Sequence, residues 1–373
     1  MPWRETSAME QRAEFVRLAE LDGSNKRELC RRFGISPPAG YKWLERAKAG
    51  DFVERSRRPH TSPKRSAPEI EAAVLAVREN HPAWGARKIL TVLKRTRDGV
   101  PAASTIHAIL TRQGRIVPPP GGAHAHLRFE RDEPNSLWQM DFKGWSRLTN
   151  GERLHPLTVI DDHSRFALAI EACADETGNT VKTRLEQVFR HHGLPQAFFV
   201  DNGTPWGDAQ GAPWTKFRVW LLKLGIELIH SRPYHPQSRG KNERFHRSLD
   251  DEVFALRPLA DHLQAQRVFD AWRPVYNFER PHEGIGFVTP AERYRPSPRP
   301  LPDKLPEAEY ATADIVRSIS KTKLYIVFKG RNWKVPEAFG GERLAIRPLA
   351  KDGTYGVFFA SHHIRDIDLT EPQ

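Results

Sequence analysis

Leu137-Trp138-Gln139-Met140-Asp141-Phe142 and, further on, Ala197-Phe198-Phe199-Val200-Asp201 are short apolar runs, each with an aspartate at its end. Runs of this length read as strands covered on both faces. Between them, Leu154 to Ile160 and Phe166 to Ala172 read as a hairpin around Asp161-Asp162-His163-Ser164-Arg165. Thr180 to His191 reads as an amphipathic helix with Val181, Leu185, Val188 and Phe189 on its apolar face, stopped by Gly193 and Pro195. Phe217 to Leu224 follows as a helix and Ile226 to Ile229 as a strand. Three strands, a helix, a strand, a helix and a strand predict an α/β layer architecture. Such sheets place their ligands at strand ends, so Asp141 and Asp201 are candidate site residues. Taken singly, each reads as readily as a turn residue or a helix cap.

A third acid lies downstream. Ser231 to Asn242 is a loop of helix breakers and basic residues, and it leads into the helix Glu243-Arg244-Phe245-His246-Arg247-Ser248-Leu249. Positions 243, 246, 247 and 250 share one face of that helix. Three carboxylates without a convergent cysteine suit Mg²⁺ or Mn²⁺. Two such ions about 3.5–4 Å apart activate a water or a 3′-hydroxyl and stabilise the leaving oxygen of a phosphodiester. Arg239 and Lys241, beside the glutamate, are candidates for phosphate contacts. Asp161 and Asp162 read as hairpin-tip residues without chemistry.

Towards the N-terminus, residues 9 to 50 read as three helices. Cys30, Gly34, Ile35 and Leu44 give a helix-turn-helix pattern in which Gly34 makes the turn and Ser36 caps the next helix. That helix would enter a major groove and present Tyr41, Lys42 and Arg46. The Pro-rich basic run 55 to 65, with Arg57 and Arg58, reads as an arm along phosphates or in a minor groove. Residues 68 to 116 repeat the helical theme as a second helix-turn-helix, with Ser104 as a cap, and the run from Pro118 to His126 reads as a flexible boundary. Beyond the Pro-rich segment 296 to 306, apolar runs at 324, 344 and 355, separated by glycine turns, predict a small β-barrel or sandwich.

Composition points the same way. The 373 residues carry 58 Lys+Arg against 46 Asp+Glu, a formal net charge of +12, which favours polyanionic partners. No apolar run approaches the roughly 18 residues of a spanning helix, and Met1 to Glu20 lacks a signal-peptide core. Two cysteines, Cys30 and Cys173, cannot build a disulfide framework or a Cys-rich zinc site. A reducing cytosol is the expected compartment.

Trp138-Gln139-Met140-Asp141-Phe142, Val200-Asp201-Asn202-Gly203 and, above all, Tyr234 through His246 resemble the three signatures of the retroviral-integrase-like D-D-E transposases. Tyr276-Asn277-Phe278-Glu279-Arg280-Pro281-His282 and Thr289-Pro290-Ala291-Glu292-Arg293-Tyr294 resemble the end of that core in bacterial insertion sequences. The resemblance implies an RNase H-like core with a mixed five-stranded sheet. It also implies catalysis and metal binding by Asp141, Asp201 and Glu243, two Mg²⁺ ions with Mn²⁺ able to substitute, and DNA cleavage followed by strand transfer. The chain departs from the family in three respects. The gap from Asp201 to Glu243 is wider than usual, with Gly207 to Trp214 reading as a loop insertion. The retroviral His/Cys zinc module is replaced by helix-turn-helix units. A basic residue is usual seven positions after the glutamate, where this chain has Asp250, so Arg244 and Arg247 become the expected phosphate contacts.

The layout expected from sequence is therefore multidomain. An all-α helix-turn-helix domain (1–50), a basic linker (51–67) and a second helix-turn-helix-like domain (68–117) come first. A flexible linker (118–134), the α/β integrase core (135–295), a Pro-rich linker (296–319) and the small β-barrel (320–373) follow. The expected partners are double-stranded DNA, both terminal inverted repeats and target, and further copies of the chain, at least a dimer in the synaptic complex. Neither a membrane nor a small-molecule substrate is expected. A catalytically silent DNA-binding protein and an RNase H-like nuclease without strand joining are the alternatives.

Overall fold

Each helix of the first sixty residues starts where a side chain satisfies its open amide groups. Ser7 forms a reciprocal capping box with Glu10 at the head of α1 (Ala8–Ala19), and Asn25 accepts from the Glu28 amide to open α2 (Lys26–Arg32). Ser36 accepts from the Ala39 amide at the start of α3 (Pro37–Ala47), as the sequence predicts. Gly34 turns the chain between α2 and α3 at φ +64°, a conformation that favours glycine. Gly40 is small for another reason: a Cβ there would sit 2.5 Å from the Cys30 sulfur and 2.9 Å from Phe15. Phe15, Val16, Cys30 and Trp43 form the core of this unit. The computed structural model describes residues 7–54, 65–116, 130–207, 213–231 and 240–370, and it divides into two compact units, 1–65 and 66–373.

The second unit begins with α4 (Pro68–Asn80), α5 (Ala86–Lys94) and α6 (Ala103–Arg112). They close around Val74, Trp84, Ile89, Leu93, Ile106 and Leu110. Ser104 is not the cap expected from sequence. Ala102 holds the capping position, and no side chain caps the helix.

The central sheet contains β1 (Trp138–Phe142), β2 (Ser146–Arg147), β3 (Arg153–Asp161) and β4 (Ala167–Cys173). After α7 (Gly178–His192) and β5 (Ala197–Val200) come α8 (Lys216–Lys223) and β6 (Glu227–His230). β4, β3, β1, β5 and β6 lie side by side, and the two-residue β2 adds a short sixth strand on β3. β3 runs antiparallel to β1 and β4, whereas β5 runs parallel to β1 and β6. The sheet is therefore mixed, as expected. Both of its faces are covered. Trp138, Met140, Leu157 and Val159 pack on α7 and α8, while Leu154, Ile160 and Ile170 pack on the opposite layer. That layer is α9 (Gly240–Leu249), a π-helical turn (Asp250–Phe254) and α10 (His262–Pro274). The core closes with a second π-turn (Val275–Glu279) and the short α11 (Pro290–Arg293), which Thr289 and Glu292 open as a capping box.

The C-terminal strands are β7 (Ile315–Ser318), β8 (Tyr325–Phe328), β9 (Arg331–Lys334), β10 (Arg343–Pro348), β11 (Thr354–Phe359) and β12 (His362–Asp368). They do not form the closed barrel expected from sequence. β12-β11-β10-β7 make one open sheet and β8-β9 a separate pair. Their core takes in Val219 of α8, and Lys223 and Glu342 bridge the two layers at 3.0 Å. Among the described residues, no helix is long and apolar enough to cross a membrane.

Candidate active site

β1 and β5 are parallel neighbours, paired Trp138 to Phe198 and Gln139 to Phe199. Carrying that register two places further sets Asp141 level with Asp201, on strands about 4.8 Å apart. Both aspartates are part-exposed. The segment after β5 is held from beneath: His230 Nδ1 meets the Asp201 carbonyl at 2.9 Å, and Asn202 donates to the Ser231 carbonyl at 2.9 Å. Trp206, fully buried, stacks on Phe142 at the end of β1.

Helix α9 packs beside β1. His246 Nε2 lies 2.8 Å from Thr158 Oγ1, which donates to the Asp141 carbonyl at 3.0 Å. Burial, reinforced by nearby Lys143, pushes the His246 imidazole down to about 4, so it is neutral at pH 7. Asp250 pairs at 2.5 Å with Lys143. Glu243 stands on the same helix, one turn before His246, and is exposed.

Lys241 does not present its charge to solvent. Its Nζ lies 2.5 Å from Asp162 Oδ1, with the lysine side chain 14% exposed and the aspartate wholly buried. Burial and Arg165 lower the Lys241 ammonium to about 8, against the opposing pull of Asp162. Asp162 also accepts from Gln139 Nε2 at 2.7 Å and from the Arg131 amide at 2.8 Å. Asp161 accepts from the Asn135 and Ser164 amides and from Ser164 Oγ, and burial raises its carboxyl. Both acids are structural, as the sequence reading held. They sit at the tip of the β3–β4 hairpin and are buried there.

The carboxylates agree in kind with a hard divalent cation. The arrangement is not closed: among the described residues, no three of His, Cys, Asp and Glu stand close enough to hold a metal ion. The two aspartates are aligned by the sheet, and the third acid is carried on a separate helix.

The remaining sequence candidates divide. Tyr41 and Lys42 are exposed on α3. Arg46 is turned inward: it pairs with Asp51 at 2.8 Å, covers the Trp43 ring at 4.7 Å and keeps only 12% of its side chain exposed. Arg244 and Arg247 are exposed on α9. Arg57, Arg58 and Arg239 lie outside the described residues. Sequence reasoning missed two braces in the Tyr276–His282 motif. Asn277 exchanges two hydrogen bonds with the Ala167 backbone at 2.8 and 3.0 Å. Arg280 reaches Glu252 at 2.9 Å and Ser248 Oγ at 2.8 Å, which ties the motif to α9.

The family described as Integrase core domain matches residues 131–236, and a second family of the same description matches 224–290. Residues 314–373 match the IS481 family transposase C-terminal domain, and 39–110 a homeodomain-like domain. These regions are similar to the integrase core and to the C-terminal domain of insertion-element transposases. The chain is 32% identical over 159 residues to a 39.2 kDa protein of insertion element IS476 from Xanthomonas euvesicatoria, covering 43% of this chain and 44% of that relative. A protein of insertion element IS407 from Burkholderia multivorans is 29% identical, over 43% of this chain and 55% of its own length. The chain thus spans about half the length of these relatives. The transposase InsD of insertion element IS2D from Escherichia coli is 26% identical, over 57% and 74% of the two chains.

Proposed function

We propose that the chain is a DNA strand-transfer enzyme, the transposase that cuts the ends of its own insertion element and joins them to target DNA. The observation that carries this reading is the alignment of Asp141 and Asp201 on adjacent parallel strands, next to a helix that bears Glu243 and touches the Asp141 backbone through Thr158 and His246. The substrate undergoes two successive in-line displacements at phosphorus. Water first frees a 3′-hydroxyl, which then attacks a target phosphodiester and displaces its 3′-oxygen. Asp141, Asp201 and Glu243 would hold Mg²⁺ or Mn²⁺, which activates the attacking oxygen and steadies the leaving one. The chain itself fixes the two aspartates through the sheet, keeps His246 neutral against Thr158 and delivers Glu243 on α9. Tyr41 and Lys42, with Arg57 and Arg58 of the basic linker, serve the DNA ends. Pairing two ends requires at least a dimer.

The test is incubation of the purified chain with Mg²⁺ and the DNA that flanks its gene, beside Glu243→Gln. The expected result is cut and joined products from the wild type and tight binding without products from the variant. Cutting without joining would replace this reading with a nuclease. Specific binding without cutting by either protein, in Mg²⁺ or Mn²⁺, would replace it with a silent DNA-binding protein.

A further inference from the structure

A cleft of about 960 Å³ opens between α5–α6 and the α9 side of the core. The N-terminal turns of α5 and α6 form one wall, and Lys241, Arg244 and Ser248 of α9 line the other. No side chain caps either α5 or α6, and residues of their first turns line the opening, which sets the positive ends of both helix dipoles at the cleft. Six lysine and arginine side chains line the cleft; Arg87, Arg165, Lys241 and Arg280 are paired with Glu283, Glu130, Asp162 and Glu252, which leaves Lys88 and Arg244 without an ion pair among the described residues. Lys88 and Arg244, like charges with no carboxylate paired to either, favour an anion in the cleft.

Two groups of the cleft lack a partner among the described residues. Lys88, half-buried in the cleft, has no ion-pair partner among the described residues, although Arg280 and Arg244 crowd it; burial and these neighbours lower its ammonium to about 8. His282 also lines the cleft. It is nine-tenths buried, and its Nε2 has no hydrogen-bond partner among the described residues.

We propose that this cleft seats a stretch of DNA backbone, its phosphates held between the uncapped starts of α5 and α6 and the Arg244 flank of α9. The ligand class is a phosphodiester chain. Oriented amides and unpaired cations recognise phosphate oxygens in any sequence, and the opening is too large for a single phosphate. The second helix-turn-helix accordingly acts as a clamp that lays one strand along the helix carrying Glu243, its leading amides turned to the core and not free to read a separate groove. The inference rests on DNA being the substrate, and its test is independent of cutting and joining.

Binding is measured with the full chain and a labelled 40-base-pair duplex of the flanking DNA, without divalent metal, over a range of KCl. Each phosphate contact contributes a slope of about 0.9 in log K against log salt. Lys88→Gln should lower that slope by about 0.9 and weaken binding several-fold at low salt, and Lys88→Arg should restore both. Ser104→Glu is the second variant. An acid in the first turn of α6 favours the helix, so melting should hold or rise while affinity falls by about tenfold. Wild-type slope and affinity in both variants would overturn the proposal. So would selective competition by inorganic phosphate with an unchanged duplex slope, which would mark a small-anion site. Joined products from wild type with no effect of Lys88→Gln on the slope would remove the clamp and leave the enzyme. A changed slope in a chain that neither cuts nor joins would do the reverse.

Discussion

Asp162 and Lys241 are far apart in sequence, and their contact pins the start of α9 to the end of the β3 strand. Asp162 is wholly buried and receives three donors, from Lys241, Gln139 and the Arg131 amide. Asp162→Ala removes all three acceptor contacts and takes the Asp162 carboxylate away from the lysine, which is 14% exposed. Breaking a buried pair from one side costs about 3–5 kcal/mol. A domain of this size loses about 2–4 °C per kcal/mol, so melting should fall by roughly 6–20 °C. Lys241→Met should cost a comparable amount, because it strands the buried carboxylate. The double variant Asp162→Ala with Lys241→Met should be more stable than the sum of the two single changes predicts, by about 1–3 kcal/mol. Urea denaturation of the four proteins gives that coupling. Amide exchange over 240–245 should quicken in each single variant, since the N-terminal turn of α9 loses its anchor. Additive energies within about 0.5 kcal/mol, or unchanged exchange at 240–245, would refute the reasoning and leave the contact incidental.

The Lys88 ammonium, lowered to about 8 by burial with help from Arg280 and Arg244, against the pull of Glu252 and Asp251, gives a pH signature with opposite signs for binding and folding. Phosphate favours the charged form, so anisotropy titrations from pH 7 to 9 should show affinity falling in wild type and a flatter profile in Lys88→Arg. The free chain should gain stability across the rise from about 8 towards the ordinary lysine value, because there the unfolded state binds the proton that the fold has released; urea midpoints that fall over this range would contradict the assignment. In the first unit, Arg46→Ala should lower melting, since Asp51 loses its partner and Trp43 its cover, whereas Lys42→Ala should leave melting alone and weaken duplex binding in a salt-dependent way. A reversed pattern in the two assays would return Arg46 to the DNA-facing surface.

The sheet was legible because its strands are apolar on both faces, and two clusters, one on α7–α8 and one on α9–α10, account for both. The helix cap at Ser36 was equally visible, because capping is a local matter of side chain and amide. Ser104 misled because a serine near a helix start serves as a cap only in the one position whose backbone is extended, and Ala102 takes it. The π-turn after α9 left no mark, since Phe245, Leu249 and Val253 continue the ordinary four-residue spacing through it. Barrel closure was beyond reach for a different reason. Alternating apolar residues predict strands, but which edges pair is decided between distant segments, and β8–β9 stay apart from the other four.

The site shows the same division between local and distant information. Asp141 and Asp201 could be picked out because strand ends are local features, and the parallel register then brings them level. Lys241 could not be assigned, because its partner Asp162 lies in another part of the chain and only the fold puts the two side by side. The same holds for α9 as a whole. Residues 241, 244, 245 and 248 fall on one side of the helix and 243, 246, 247 and 250 on the other. The first set meets the cleft, and on the second His246 meets Thr158 and Asp250 meets Lys143. One rigid helix therefore carries both the proposed DNA contacts and the third acid. Asp162 holds it at Lys241 and Arg280 holds it at Ser248, so a strand seated on one side bears directly on where Glu243 stands on the other. Lengthening or loosening that helix should uncouple binding from strand cleavage even with all three acids intact.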